Sequence, residues 1–442
     1  MTQTQSAPPA TVSPAPPTGA TLQAPNARTA SPRTAVTEWF EGTPGRMRAF
    51  LILAAVMSVV FGLAAAQGFS QSDGALDRAQ ANTAQLVRIQ AIHTNLVSAN
   101  ADATNAFLVG GLEPPEQRAH FVNSLAAAAG LIAEAATAQP ADRDVLGALN
   151  KTLITYGGLI EQARANNRQG LPIGSQYLKD ANSVLQDDSL PLVKALVEAN
   201  EKRVDTEFDG IGKGTIWVLV GGLLSLVVFA ITLRWLARRT HRYLNIPIAA
   251  GAVLVLLTTV IGGVSLASAS SSAKDTRSFE YERTLALSRA RIAAYDARSN
   301  ESLTLIARGS GDAFDKAYTA AAGQVDEQLG KVGANGGNLQ QLWTAYKTVH
   351  AKVRTTDGTD GNWDGAVAMA VGKDKTNNSV ATFGAFDSSS NQQLTQTSTA
   401  VQSELKDARD GLPPIGWLGV PIGILAALLV AWGMSQRLEE YR

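Results

Sequence analysis

The chain has 442 residues, of which 45% are hydrophobic and 17% charged, against ~25% charged in soluble domains. Its 38 basic and 38 acidic side chains cancel, which excludes the basic stripe of a general nucleic-acid binder. With no cysteine and only four histidines, His93, His120, His241 and His350, disulfide scaffolds, cysteine nucleophiles and Cys-based metal centres are excluded as well; no metal and no cofactor is expected.

Residues 1–34 are dominated by Ala, Pro, Thr and Ser, hold seven of the 17 prolines and carry only two charges. Such a segment buries too little apolar surface to offset its ordering entropy and is expected to be a disordered arm. Residues 35–48 follow as a juxtamembrane segment, with Trp39 and Phe40 beside Arg46 and Arg48, a combination suited to the inner membrane interface.

Four runs without a single charged residue, 49–69, 215–233, 246–267 and 415–434, are each close to the roughly 20 residues that cross a bilayer as a helix. The first reads as an uncleaved signal anchor, because the segment before it is far longer than a signal-peptide n-region. The link 234–245 contains Arg234, Arg238, Arg239 and Arg242 and no acid; by the positive-inside rule it is cytoplasmic. Four spans then place both termini in the cytoplasm, with the short tail 435–442. Charges on the inner side sum to +6 and those on the outer side to −6. The expected location is the plasma membrane, multi-pass, in contact with lipid.

The two long polar segments, 70–214 and 268–414, read as helical. Leu86, Ile89, Leu96, Phe107 and Leu108 recur at helical spacing. A first helix is expected over 72–109, a second to about residue 137, a third over 142–167, and a fourth over 175–210 kinked at Pro191. These form an antiparallel four-helix bundle whose outer helices continue from the spans. The second segment repeats the scheme. Leu149, Tyr156, Leu159 and Arg164 align with Leu339, Tyr346, Val349 and Arg354 at an offset of 190, and Thr104, Phe107 and Gly111 with Ser302, Leu305 and Gly309 at 198. The fold expected is an all-α membrane protein with two extracytoplasmic four-helix bundles related by internal duplication. The second is the looser, with 355–365 a long turn and 376–391 rich in Ser and Asn.

Catalytic patterns such as HExxH, a P-loop or GxSxG are missing from the sequence. The neighbouring acids Asp187-Asp188 and Glu439-Glu440 point about 100° apart on a helix of 3.6 residues per turn, so an enzyme is not expected. Carriers need ionisable groups within the spans, which these lack; Gly221-Gly222, Gly262-Gly263 and Gly419-x-x-x-Gly423 are surfaces for close helix packing instead. What remains is signal transfer along continuous helices. The distal turns are where a partner would dock, through Glu113, Glu116, Arg168, Asp357, Asp360, Trp363 and Asp364; Trp363, alone among Asp and Gly, is either a docking anchor or folded back on its own bundle. On the inner side, coupling falls to Arg234, Arg238, Arg239 and Arg242 with Trp39 and Phe40. Only about eight residues follow the fourth span, so a separate cytosolic partner is expected. A direct chemosensor holding its ligand near Arg88 or Arg298, and a structural scaffold of the envelope, are the alternatives.

The layout resembles the ligand-binding half of bacterial chemoreceptors, with two span–bundle–span units in one chain as a built-in pseudo-dimer. On the runs QLVRIQAIHTNLV at 85–97 and ADATNAFLVGGLEPP at 101–115, the chain more closely resembles the actinobacterial GlnX-type membrane transducers. That resemblance implies relay of glutamate, glutamine or aspartate availability from an extracytoplasmic solute-binding lipoprotein to a cytosolic Ser/Thr kinase. Homo-oligomer formation stays open.

Overall fold

The computed structural model describes residues 42–109, 112–240 and 245–439. The arm 1–34, Trp39, Phe40, Gly111 and Arg242 lie outside the described residues. The architecture is all-α, with no strand among the described residues. The helices are α1 Gly42–Val109, α2 Pro115–Ala138, α3 Arg143–Arg168, α4 Ile173–Ser183, α5 Leu190–Ile211, α6 Lys213–Thr240, α7 Ile246–Thr276, α8 Glu282–Ile306, α9 Asp312–Val332, α10 Leu339–Arg354, α11 Trp363–Ala370, α12 Ser379–Asp410 and α13 Ile415–Glu439.

At 1.5 Å per residue, the 68 residues of α1 span about 100 Å without a break. No proline follows its first turn, and Gly62 and Gly68 lie where α13 and α6 come close. Helices α5 and α6 are parted only by Gly212. A π-helical turn, Arg277–Tyr281, links α7 to α8. Between α4 and α5 lies another, Val184–Ser189, in which the Leu190 N–H reaches the Leu185 carbonyl. Pro191 has no N–H to donate to the turn before it, and the wider turn absorbs the gap. The expected kink is therefore a π-turn.

Among the described residues, five helical stretches are long and apolar enough to cross a membrane. Four contain the uncharged runs. The fifth is α2, apolar through its alanines but bearing Arg118, His120 and Glu134; its Phe121, Ala128, Ile132 and Ala135 are buried in the first helical core. Most of the exposed large apolar side chains, 25 of 32 among the described residues, fall in the four uncharged runs, from Ile52 to Leu63, Ile216 to Ile231, Ile246 to Val264 and Trp417 to Trp432. Water would not tolerate such a girdle. Trp217 and Trp417 mark one end of it, and Trp235 and Trp432 the other. Along α6 the two tryptophans stand about 27 Å apart, close to the thickness of a hydrocarbon core.

The four apolar segments pack as a ring, α1 on α6 and α13, and α7 on the same two. Glycines set the spacing. A Cβ on Gly62 would lie 2.6 Å from the Gly419 carbonyl oxygen, and one on Gly423 2.6 Å from that of Ser58. The Gly419 and Gly423 pair read from sequence is thus completed by Gly62 on α1.

Outside this ring stand two helical units. In the first, α1, α2, α3 and the pair α4–α5 enclose Ile89, Ile92, Leu96, Leu149, Tyr156, Ile160 and Leu196. In the second, α8, α9, α10 and α12 enclose Tyr318, Val325, Trp343, Tyr346, Phe383 and Phe386. The aligned pairs Leu149/Leu339 and Tyr156/Tyr346 are all buried. The second unit is less loose than its composition implies. Most of 376–391 is the start of α12, which Asn378 caps by accepting from the Ala381 N–H at 2.8 Å. The stretch 355–365 holds a π-turn and the first residues of α11, capped by Asn362.

The units are fused along their first helices. Gln90 accepts from Ser288, 198 positions on, and Asn100 donates to Ser299, 199 positions on, at 2.8 Å. The first separation equals the repeat offset along these helices and the second exceeds it by one, so near-equivalent positions face each other as at a two-fold axis. Nearer the girdle, Leu76, Leu86, Phe208, Tyr281 and Leu405 form a core shared by both units.

Candidate functional site

The outer end of the first unit encloses a cavity of about 280 Å³. Its walls are positioned by local chemistry. Pro115 in the first turn of α2 fixes that helix's start. Gly170, at φ +68, turns α3 into α4. Gly174 then lies so close that a Cβ would come within 3.1 Å of the Ala163 carbonyl oxygen. The cavity floor is apolar, made by Ala103, Ala106, Phe107, Ile160, Ala163 and Leu178; its rim carries Glu113, Arg118, Arg164, Asn167 and Arg168.

Arg164 is the central group, with only 9% of its side chain exposed. Its guanidinium sits 4.1 Å over the Phe121 ring. One Nη donates to Glu113 at 2.9 Å and the other to Glu161 at 3.1 Å. Arg118 reaches Glu161 at 3.1 Å and Glu113 at 3.8 Å. Arg164 Nε is buried and has no hydrogen-bond partner. Charge-assisted bonds are stronger than neutral ones, and the guanidinium of Arg164 shares the cavity wall with Arg118 and Arg168.

Of the tip residues read from sequence, Glu113 and Arg168 line this cavity, and Glu113 is an ion-paired part of its rim. Glu116 is exposed and lines a second cleft, of about 360 Å³, between the two units. That cleft also holds His120, Asp102, Asp387 and Arg298, whose guanidinium lies 4.6 Å over Phe383. Burial pushes the Asp102 carboxyl up to about 6, against the pull of Arg298 and His120. Arg88 bonds Gln85 at 2.7 Å and pairs with Glu134 at 3.7 Å; it lines neither space.

The remaining tip residues gather at the end of the second unit, where α11 fills the equivalent space. Ala366, Val367, Met369 and Ala370 pack on Leu108, Leu305 and Val353. Trp363 is half-buried, donates from its indole N–H to the Leu305 carbonyl at 2.9 Å, and lies 3.9 Å beneath the Arg308 guanidinium. Of the two sequence readings, this geometry is the folded-back one. Asp357 pairs with Arg354 at 2.9 Å, while Asp360 and Asp364 are exposed. On the opposite side of the apolar ring, Arg234, Arg238 and Arg239 are exposed along the end of α6, and Trp235 stacks on Phe50 at 5.0 Å.

Sequence reasoning missed Arg118 and Arg164 as site residues, although Arg164 carried the repeat. The signal was present in Glu161, three residues before it on the same helix face, and in Glu113, an acid just ahead of Pro114-Pro115.

Residues 75–209 match the family described as Actinobacterial sensor domain. The match covers the first unit, and the whole lining of the 280 Å³ cavity lies within it. No curated protein and no solved structure matches the chain. The chain is therefore a membrane protein whose first helical unit is similar to a sensor domain.

Proposed function

We propose that the chain is a non-enzymatic signal transducer of the plasma membrane, with four spans, both termini cytoplasmic and both helical units outside. The observation that carries this reading is α1: a single helix runs from the basic side of the apolar ring to the cavity of the sensor-like unit. Packed helices move between discrete arrangements by 1–2 Å. Such a slide of α1 would be felt at the Gly62–Gly419 contact and, through α6, at Arg234, Arg238 and Arg239. The fifth apolar helix, α2, belongs to the outer unit in this reading, since its buried face is already taken up by the core around Tyr156.

The resemblance of 85–97 and 101–115 to GlnX-type transducers supplies the partners: an extracytoplasmic solute-binding lipoprotein reporting glutamate, glutamine or aspartate, and a cytosolic Ser/Thr kinase. The exposed tips around Glu116, Arg168, Asp360 and Asp364 are the surface offered to the first, and the Arg-rich link the surface offered to the second. Affinity capture of the intact protein from membranes, with and without amino acid, should recover both partners. Repeated capture without any extracytoplasmic protein would overturn the relay. Topology has its own test, because the chain has no cysteine. An Arg238→Cys variant should react with an impermeant thiol reagent only in inverted vesicles; labelling in intact cells would invert the map. The direct-chemosensor alternative is favoured by one observation, the cavity at Arg164 rather than the surroundings of Arg88 or Arg298.

A further inference from the structure

The repeat allows the two outer ends to be compared residue by residue. Arg164 and Arg354 occupy equivalent positions on α3 and α10. Arg354 Nε is met by the Asp315 carboxylate at 2.9 Å, and its Nη1 by Asp357 at 2.9 Å. Beyond them, α11 closes the space with Ala366 and Met369 under Trp363. Arg164 has its two Nη groups met by Glu113 and Glu161, but its Nε faces no acceptor, and no helix fills the space beside it. Both arginines meet two carboxylates, but only at the first end is the Nε left without an acceptor and the space beside the guanidinium left without an apolar plug.

We propose that the cavity at Arg164 binds a small organic acid, whose carboxylate meets the cluster of Arg118, Arg164 and Arg168 and whose carbon body takes the place that α11 fills in the second unit. Charge, shape and size agree. Arg118, Arg164 and Arg168 are set against Glu113 and Glu161, so the rim keeps one positive charge in excess. Phe107, Ile160 and Leu178 offer the apolar floor that a carbon chain requires and that inorganic phosphate does not. The volume, about 280 Å³, lies just below the ~300–1,000 Å³ of ligand pockets, which suits a small acid and excludes nucleotides and peptides. Glu113 stands ready to accept an ammonium group where the acid carries one. The proposal goes beyond the relay and does not need it, because the ligand is held by this chain alone.

The test uses the purified full-length protein in nanodiscs with no partner present, titrated calorimetrically with succinate, with glutamate and with succinamide, the uncharged isostere of succinate. At least one acid should bind with a Kd of roughly 10 μM to 1 mM, and succinamide should not. Arg118→Gln, at a half-exposed position, should weaken binding about tenfold. Ala106→Met, which fills the floor without touching a charge, should weaken it at least as much. Binding of glutamate without succinate would add an ammonium contact at Glu113 and keep the carboxylate on Arg164. Neither acid binding at concentrations up to about 10 mM, equal binding of succinamide, or unchanged binding in both variants would each overturn the proposal. Failure to capture a lipoprotein or kinase would leave every one of these results untouched.

Discussion

Asn100 on α1 donates its side-chain amide to Ser299 on α8 at 2.8 Å, a buried bond between the first helices of the two units. The same Asn100 donates to Asn182 at 3.0 Å and accepts from the Tyr156 hydroxyl at 3.3 Å. One amide thus ties α1 to α3, to α4 and to the other half of the pseudo-dimer. Asn100→Leu should strand the buried Tyr156 hydroxyl and lower stability by about 1–3 kcal/mol. Ser299→Ala should cost less, since Asn100 keeps Asn182. Thermal unfolding of both variants in detergent checks the order; a larger loss in Ser299→Ala would contradict it.

The glycine crossing of α1 and α13 gives a second expectation. Gly423→Ala places a methyl 2.6 Å from the Ser58 carbonyl oxygen and 2.8 Å from Gly62 Cα. Both are backbone atoms, so the helices themselves must part. Overpacking of this kind costs about 1–3 kcal/mol, and the melting temperature should fall accordingly. Gly384→Ala, on α12 with nothing within 4 Å of the new methyl, should instead hold or gain about 0.5–1 kcal/mol. Equal effects at the two sites would show that the crossing is not close-packed.

Trp363 supplies a third. Trp363→Phe keeps a ring beneath Arg308 and loses only the bond to the Leu305 carbonyl, at about 1 kcal/mol. Trp363→Ala also releases α11 from the end of the second unit, and the loss should approach the ~3 kcal/mol at the lower end for a buried aromatic. If the indole serves as a plug, partner capture survives in Trp363→Phe. Loss of capture with full stability would return Trp363 to the role of docking anchor.

Much of this architecture is legible in the sequence, because the patterns that dictate it run along the chain. Uncharged runs near 20 residues define the ring, and helical spacing with Pro114-Pro115, Pro140 and Pro172 at the breaks defines the helices around Tyr156. The contact between the units is not legible, because polar residues make it. Gln90, Asn100, Ser288 and Ser299 read as solvated positions until a second polar surface meets them. The ion pairs near the ring show the same limit. Arg409 bonds Asp77 at 2.5 Å and Arg277 bonds Asp209 at 3.4 Å. Each pair joins helices that are distant in sequence, so spacing along one helix does not reveal it. Helix α11 was hidden for a different reason: its start sits in a run of Gly, Asp and Thr, and only the Asn362 cap on the Gly365 N–H at 2.9 Å nucleates it. The cavity at Arg164 depends on the close approach of Gly174 to α3, a distance that spacing along the chain does not encode.

Two carboxyls, Asp102 at the cleft between the units and Asp296 on α8, set a pH dependence of definite sign. Burial raises the Asp102 carboxyl to about 6 and the Asp296 carboxyl on α8 to about 7, whereas an unfolded Asp titrates near ~3.9. Around Asp102 the charged groups are Arg298, His120 and Arg164, which pull its value down, and Asp387, which pushes it up. Between the unfolded and folded values the folded protein holds the more protons, so stability falls as pH rises from about 4 to about 7 and is level above that. Asp142 acts in the opposite sense. Burial works to raise it, but bonds from Arg203 at 2.8 Å, Asn200 and Gln85 more than reverse this, so its contribution is present at neutral pH and is lost only in acid. The two effects occupy different windows. From about pH 5 to about pH 7.5 the fully folded protein should therefore lose melting temperature, and Asp102→Asn combined with Asp296→Asn should flatten the slope. A slope unchanged in the double variant would assign the dependence to other groups and leave both carboxyls ionised in the folded state.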